Sequence, residues 1–347
     1  MLKYIKGSLI ITVLGLALAM GFEWHQTASM TAVVSAGLTA LILAVLEISL
    51  SFDNAVVNAT VIRKMDAVWK RRFLTWGILI AVFGMRLIFP LVIVAVVASI
   101  GPIEALMMSI SEPQKYAEIM TSAHLTVSAF GGMFLYMVFL HYFMNTEKEE
   151  HWVKVIEKPL VLISQFKGIE LIVAILTLLF ITGAMRAEDQ MRFLIPGLWG
   201  MITYMLVHSF SEFLEKLEIA NADTTKKSIM SAGFGMFLYL EILDASFSFD
   251  GVIGAFAITQ SLIQIMIGLS IGAFFVRSLT LYLVEEETLS QIRFLEHGAF
   301  YALGALALMM LLDYFLHIPE WMTGLTGAAI LGLSIFWSFY EDRKCRT

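Results

Sequence analysis

The feature that most limits what this chain can fold into is the recurrence of apolar blocks long enough to cross a lipid bilayer. A helix needs roughly 20 apolar residues to span about 30 Å of hydrocarbon. By that measure ten blocks stand out, centred near residues 15, 42, 86, 133, 177, 204, 243, 274, 307 and 331. Composition agrees: 59% of residues are apolar, 15% are charged and the mean hydropathy is +0.81, far outside soluble usage. The blocks are too long for the strands of a membrane barrel and lack their alternation. The expected fold is therefore all-α, a polytopic membrane protein of about ten transmembrane helices, with residues 1–347 forming one membrane domain in the inner (plasma) membrane.

The first block, residues 1–25, follows Lys3 and Lys6 and ends near Ala17-Leu18-Ala19, so it reads either as an uncleaved helix or as a signal peptide. We expect the helix. Orientation comes from loop lysines and arginines. Arg63, Lys64, Lys70, Arg71 and Arg72 lie on one side with Lys148, Lys154, Lys158, Lys167, Lys216, Lys226, Lys227, Arg343, Lys344 and Arg346; Lys115, Arg186 and Arg192 lie on the other. Both termini are expected in the cytoplasm. The single cysteine, Cys345, excludes an intramolecular disulfide and a thiolate cage. The loops near residues 100–122 and 144–167 are too short for a soluble domain. The formal net charge of −6 mixes loop and intramembrane charges and points to no nucleic-acid partner.

Two stretches repeat. "EISLSFDNAVVNA", residues 47–59, and "EILDASFSFDGVIGA", residues 241–255, share Ser-Phe-Asp. Each is followed by a helix in which a glycine precedes an arginine by nine residues, Gly77 to Arg86 and Gly268 to Arg277. A third pair aligns Gly132 with Gly304 and Tyr142-Phe143 with Tyr314-Phe315. Two three-helix repeats follow, residues 30–143 and 228–317, with an inserted helix pair at 168–214 and a last helix at 320–340. An odd number of spans separates the repeat starts, so the copies are expected to be inverted, an arrangement common among transporters with midplane sites.

These paired acidic motifs with their glycine-to-arginine helices resemble the TerC family of integral membrane proteins, and within it the branch catalogued as domain of unknown function 475. The resemblance covers about residues 30–340. It implies a fold grouped with the lysine-exporter-like superfamily and a role in manganese efflux or tellurium resistance. The inserted helices near residues 177 and 204 depart from the better studied members, so fold transfers more firmly than substrate.

Read on their own, the acids are costly. An ionised carboxylate at the bilayer centre costs about 2.5–3.5 kcal/mol on insertion scales. Glu47, Asp53, Glu241, Asp244 and Asp250 outnumber Arg86 and Arg277, leaving a formal surplus that a divalent cation plus a proton would neutralise. On a continuous helix Glu47, Ser51, Asn54 and Asn58 share one face, as do Glu241, Asp244, Ser248 and Gly251. Alternatively both helices break at Ser-Phe-Asp, freeing carbonyls as ligands. We expect the break, since Gly251 follows Asp250.

The expected metal ligands are Glu47, Asp53, Glu241, Asp244, Asp250, Asn54, Ser51 and Ser248, converging in one site. Arg86 and Arg277 are the expected ion-pair partners, of Asp53 and Asp250. Such hard oxygen donors suit magnesium, calcium or manganese. Geometry does not separate these ions; manganese comes from the resemblance alone. No cofactor or enzymatic activity is expected, because no Walker loop, HExxH or nucleophile elbow occurs.

The expected function is export of a divalent cation coupled to protons. Export of a small organic cation or amino acid, or service as a non-transporting subunit of a stress-response complex, are the alternatives. Expected partners are lipid, the metal substrate and a second copy of the chain, since "GLSIG", Gly268 to Gly272, fits a close helix contact. His208 and Glu212 read as an interfacial pair exposed to water, and His141 and Asp313, at matching repeat positions near helix ends, read the same way. The 21 methionines read as packing.

Overall fold

The computed structural model describes residues 2–145, 151–166, 168–220, 232–286 and 292–346. Lys148, Lys167, Lys226 and Lys227 lie outside the described residues, as do the side chains of Asp250, Lys344, Cys345 and Arg346. The structure is 90% helical, with no strand among the described residues.

In chain order the helices are α1 (Leu2–Thr27), α2 (Met30–Leu50), α3 (Phe52–Lys64), α4 (Ala67–Arg72), α5 (Phe89–Ala98), α6 (Pro102–Ser111), α7 (Pro113–Ser122) and α8 (His124–Phe143). Then follow α9 (Lys154–Ile163), α10 (Ile169–Ala184), α11 (Ala187–Ala220), α12 (Ala232–Ile258), α13 (Leu262–Glu285), α14 (Leu295–Leu316) and α15 (Glu320–Arg346). Between α4 and α5 the backbone winds as π-helix over Phe73–Gly77 and Ile80–Ile88. All ten apolar block centres fall in helices. Among the described residues, eight helices are long and apolar enough to cross a membrane. Helix α10 is apolar but only 16 residues long, and α12 interrupts its apolar run with Glu241, Asp244 and Asp250.

The two longer loops hold helices that hydropathy does not reveal. Pro102 and Pro113 open α6 and α7, where a missing N–H is harmless and the fixed φ suits a first helical turn. Helix α9 is anchored by Glu157, which is fully buried. Glu157 accepts from the backbone N–H of Trp152 (3.2 Å) and Val153 (3.0 Å) and from the Tyr301 hydroxyl (3.2 Å), and meets His151 Nδ1 at 3.1 Å.

The chain forms two compact units, Met1–His124 with Phe247–Thr288, and Leu125–Ser246 with Leu289–Thr347. Each takes segments from both sequence repeats. In the first unit, α13 packs along α1, α2 and α3. Small residues set these close approaches, as membrane helices require when no hydrophobic drive separates protein from lipid. A Cβ on Gly15 would stand 2.7 Å from Ile271, and one on Gly268 would stand 2.6 Å from the Leu43 Cβ. The Ser8 hydroxyl adds bonds across α1 and α13, to the Phe274 carbonyl (2.8 Å) and the Ser278 hydroxyl (2.7 Å). The glycines of "GLSIG" are thus occupied by α2 of the same chain.

In the second unit, α8 and α14 meet through the aligned glycines: Gly132 faces Leu311, and Gly304 faces the Phe139 ring. Tyr142 stacks on Phe300 at 3.7 Å. Outward residues such as Val13 (68% exposed) and Phe180 (82%) present apolar surface suited to lipid.

Candidate metal centre

The first acidic motif sits where α2 ends and α3 begins. Ser51 leaves the helical region (φ −106°, ψ 16°). Its N–H still reaches the Glu47 carbonyl (2.9 Å), and the Ala55 N–H reaches the Ser51 carbonyl (3.1 Å). Among the described residues, the N–H groups of Phe52 and Asp53 reach no carbonyl of α2, so the ladder loosens over Ile48 and Ser49. This is the break expected at Ser-Phe-Asp.

The second motif behaves differently and corrects the expectation. Helix α12 runs unbroken from Ala232 to Ile258, through Ser246 and Gly251. The Ser246 hydroxyl folds back onto the Ile242 carbonyl (3.0 Å), a bond that a helix accommodates. Gly251 does not break the helix, because one interior glycine costs only about 1 kcal/mol. It serves instead for close approach: a Cβ there would lie 3.2 Å from Glu47 Oε2.

Around the break, Glu47, Ser51, Asp53, Asn54 and Asn58 are all buried. Glu47 is held on several sides. The Ser51 hydroxyl donates to its Oε1 (3.1 Å), Arg86 Nη2 forms a buried ion pair with the same oxygen, and Gly272 of α13 lies against its Cβ. Arg86 also donates from Nη1 to the Ala81 carbonyl within the π-helical turn. That wider turn carries Arg86 inward while its backbone stays bonded. Arg86 was expected to pair with Asp53; the structure pairs it with Glu47.

Asp53 lies in the first turn of α3, where its Oδ1 accepts the Asn54 N–H at 2.9 Å. Among the described residues no lysine or arginine reaches Asp53 within ion-pair distance. The positive end of α3 offsets part of its charge. Asn58 is 5% exposed and its Oδ1 meets no donor among the described residues. An orphaned buried acceptor costs about 1–3 kcal/mol, which a bound cation would relieve.

In the second motif, Ser248 is buried with a hydroxyl that meets no partner among the described residues, and Arg277 has no described carboxylate within ion-pair distance. The Asp250 side chain, its expected partner, lies outside the described residues. Glu241, in the other compact unit, is 7% exposed and its Oε1 likewise meets no donor among the described residues. Asp244 lies one turn further along α12 and is half-buried. Among the described residues, no three His, Cys, Asp or Glu side chains already surround a metal position. The side-chain oxygens this motif offers are those of Asp53, Asn58, Ser51 and Glu47. They match a hard divalent ion better than a soft one.

Gly272 carried no signal as part of this site, since its role depends on α13 lying along α2. A family model described as "Protein of unknown function (DUF475)" matches residues 52–345, a span that begins at Phe52 and takes in Asp53, Asn58 and Arg86. No curated protein and no solved structure matches the chain.

Proposed function

This chain belongs to the DUF475 family, and we propose that it is a membrane transporter that exports a divalent cation, with manganese as cargo and protons as the exchanged ion. The observation that carries this reading is Asp53: a buried carboxylate in the first turn after a helix break, with no basic partner among the described residues. A purely structural carboxylate in lipid surroundings is normally paired. Asp53 is the acid of the first motif that Arg86 does not neutralise, so it is the one with charge to offer a cation.

The choice of manganese over magnesium or calcium, and of export over uptake, rests on the resemblance of the two acidic motifs to the TerC family. The same resemblance supports the lysine-exporter-like grouping; the odd number of spans between the sequence repeats supports their inversion, and the distribution of loop lysines and arginines supports a plasma-membrane protein with cytoplasmic termini. The chain itself is proposed to catalyse no reaction.

A second reading has its own support. The buried Glu47–Arg86 pair is what a non-transporting membrane subunit would use to hold two helices together. Metal content separates the two readings. Cells with and without the protein are loaded with manganese, magnesium, calcium or zinc, and accumulated metal is measured. Export predicts lower manganese with the protein, and loss of that difference with Asp53→Asn or Asp244→Asn at equal protein level. Equal metal contents under all four loads would leave the subunit reading.

A further inference from the structure

His208 and Glu212 lie one turn apart on α11, and alone they are an ordinary interfacial pair. The structure adds a second pair from two other helices. His141, in the last turn of α8, meets Glu170, in the first turn of α10, with Nδ1 to Oε2 at 3.3 Å. His208 Nε2 meets Glu212 Oε1 at 3.1 Å. The two imidazoles touch, with ring centroids 4.4 Å apart and planes inclined at 61°. Two imidazoles and two carboxylates from three helices thus gather at one end of the second compact unit.

The donor set is that of a transition-metal site: two imidazole nitrogens and two carboxylates, with the rings in contact. Each pair is at present a His–carboxylate hydrogen bond. The donors form two pairs and do not yet surround one point; an ion would draw the pairs together by displacing the bridging protons. Tyr204, buried on α11, stacks parallel to His208 (5.6 Å, 7°) and steers that ring toward His141. Lys216 is the one described cation beside the group, 3.9 Å from Glu212, and its side chain is exposed. The donors are reachable: the His141, Glu170, His208 and Glu212 side chains are 41%, 28%, 32% and 53% exposed.

We propose that His141, Glu170, His208 and Glu212 form a binding site for a divalent transition-metal ion of the zinc class, separate from the oxygen-only centre at Asp53. Imidazole donors select zinc, cobalt, nickel or iron over magnesium and calcium. The proposal stands independently of the transport reading, since none of these four residues belongs to the acidic motifs.

Cobalt(II) is the probe, because its visible absorption reports imidazole-containing, low-coordinate sites. Purified full-length protein in detergent should take up about one Co2+ per chain with intense visible absorption, displaced by Zn2+ and not by excess Mg2+. A His25→Gln variant, changed at an exposed histidine of the first compact unit, should keep the signal. His141→Gln/His208→Gln should lose it and bind at least tenfold more weakly. If that double variant is not monodisperse, His141→Gln alone decides. No such absorption in the wild type, or the same absorption and affinity in the histidine variant, would overturn the site.

Discussion

The two Ser-Phe-Asp motifs share a sequence and differ in structure. At the first, the helix stops at Ser51 and restarts at Phe52; at the second, α12 runs through. The arginine helices differ in the same sense, since Arg86 rides on a π-helical stretch while Arg277 sits in the regular helix α13. What separates the copies is what their side chains meet. At the first motif the Ser51 hydroxyl and the Arg86 guanidinium both converge on the Glu47 carboxylate. At the second, the hydroxyl of Ser248, the counterpart of Ser51, meets no partner among the described residues. The triplet therefore permits a break without dictating it; at the copy that breaks, the Glu47 carboxylate holds the Arg86 guanidinium.

The largest contrast should appear at the arginines. Removing one member of a buried ion pair leaves an uncompensated charge and costs about 3–5 kcal/mol. Arg86→Gln should therefore sharply lower the thermal midpoint and the yield of folded protein in detergent. Glu47→Gln/Arg86→Gln should recover much of the loss, because neither charge is then stranded. Arg277→Gln should cost clearly less. Equal losses at Arg86 and Arg277 would erase the distinction between the copies.

Proline tests the backbone contrast. At Phe52, the first residue of α3, Pro should cost less than about 1 kcal/mol beyond Phe52→Ala, since that position needs no N–H. At Phe249, inside α12, Pro should cost about 3 kcal/mol or more beyond Phe249→Ala. Thermal unfolding of the four variants measures both differences; a tolerated Phe249→Pro would mean that α12 is not the continuous helix described.

A smaller effect separates two glycines that face Glu47. A Cβ on Gly272 would stand 2.5 Å from the Glu47 Cβ and 2.7 Å from the Ala44 carbonyl. Gly272→Ala should cost about 1–3 kcal/mol by overpacking. The same change at Gly251 meets a carboxylate oxygen at 3.2 Å and should cost less than about 1 kcal/mol, readable in the same melting assay.

Much of the helical plan was legible because lipid imposes a length and a polarity that single segments must satisfy alone. That is why every block centre lies in a helix. Helices α6, α7 and α9 were not legible, because short helices outside the apolar blocks have no such requirement. The burial of Glu47, Asp53, Asn54 and Asn58 could be anticipated from their place in an apolar run. The pairing of Arg86 could not, since it depends on a π-helical register that no spacing rule announces. Glu170 escaped notice for a related reason: it lies in the first turn of α10, and only tertiary packing brings it to His141.

The central claim is that Asp53 carries charge for a cation and does not merely hold helices together. Asp53→Asn keeps the size of the side chain and an acceptor for the Asn54 N–H, so folded protein should be recovered at the wild-type level. Mn2+ flux into or out of sealed vesicles containing purified protein is the direct measurement. The account predicts that an imposed proton gradient drives Mn2+ across the wild-type vesicles in the direction opposite to proton flow and that Asp53→Asn reduces this flux to the level of protein-free vesicles. Wild-type flux in Asp53→Asn vesicles containing equal folded protein would contradict it.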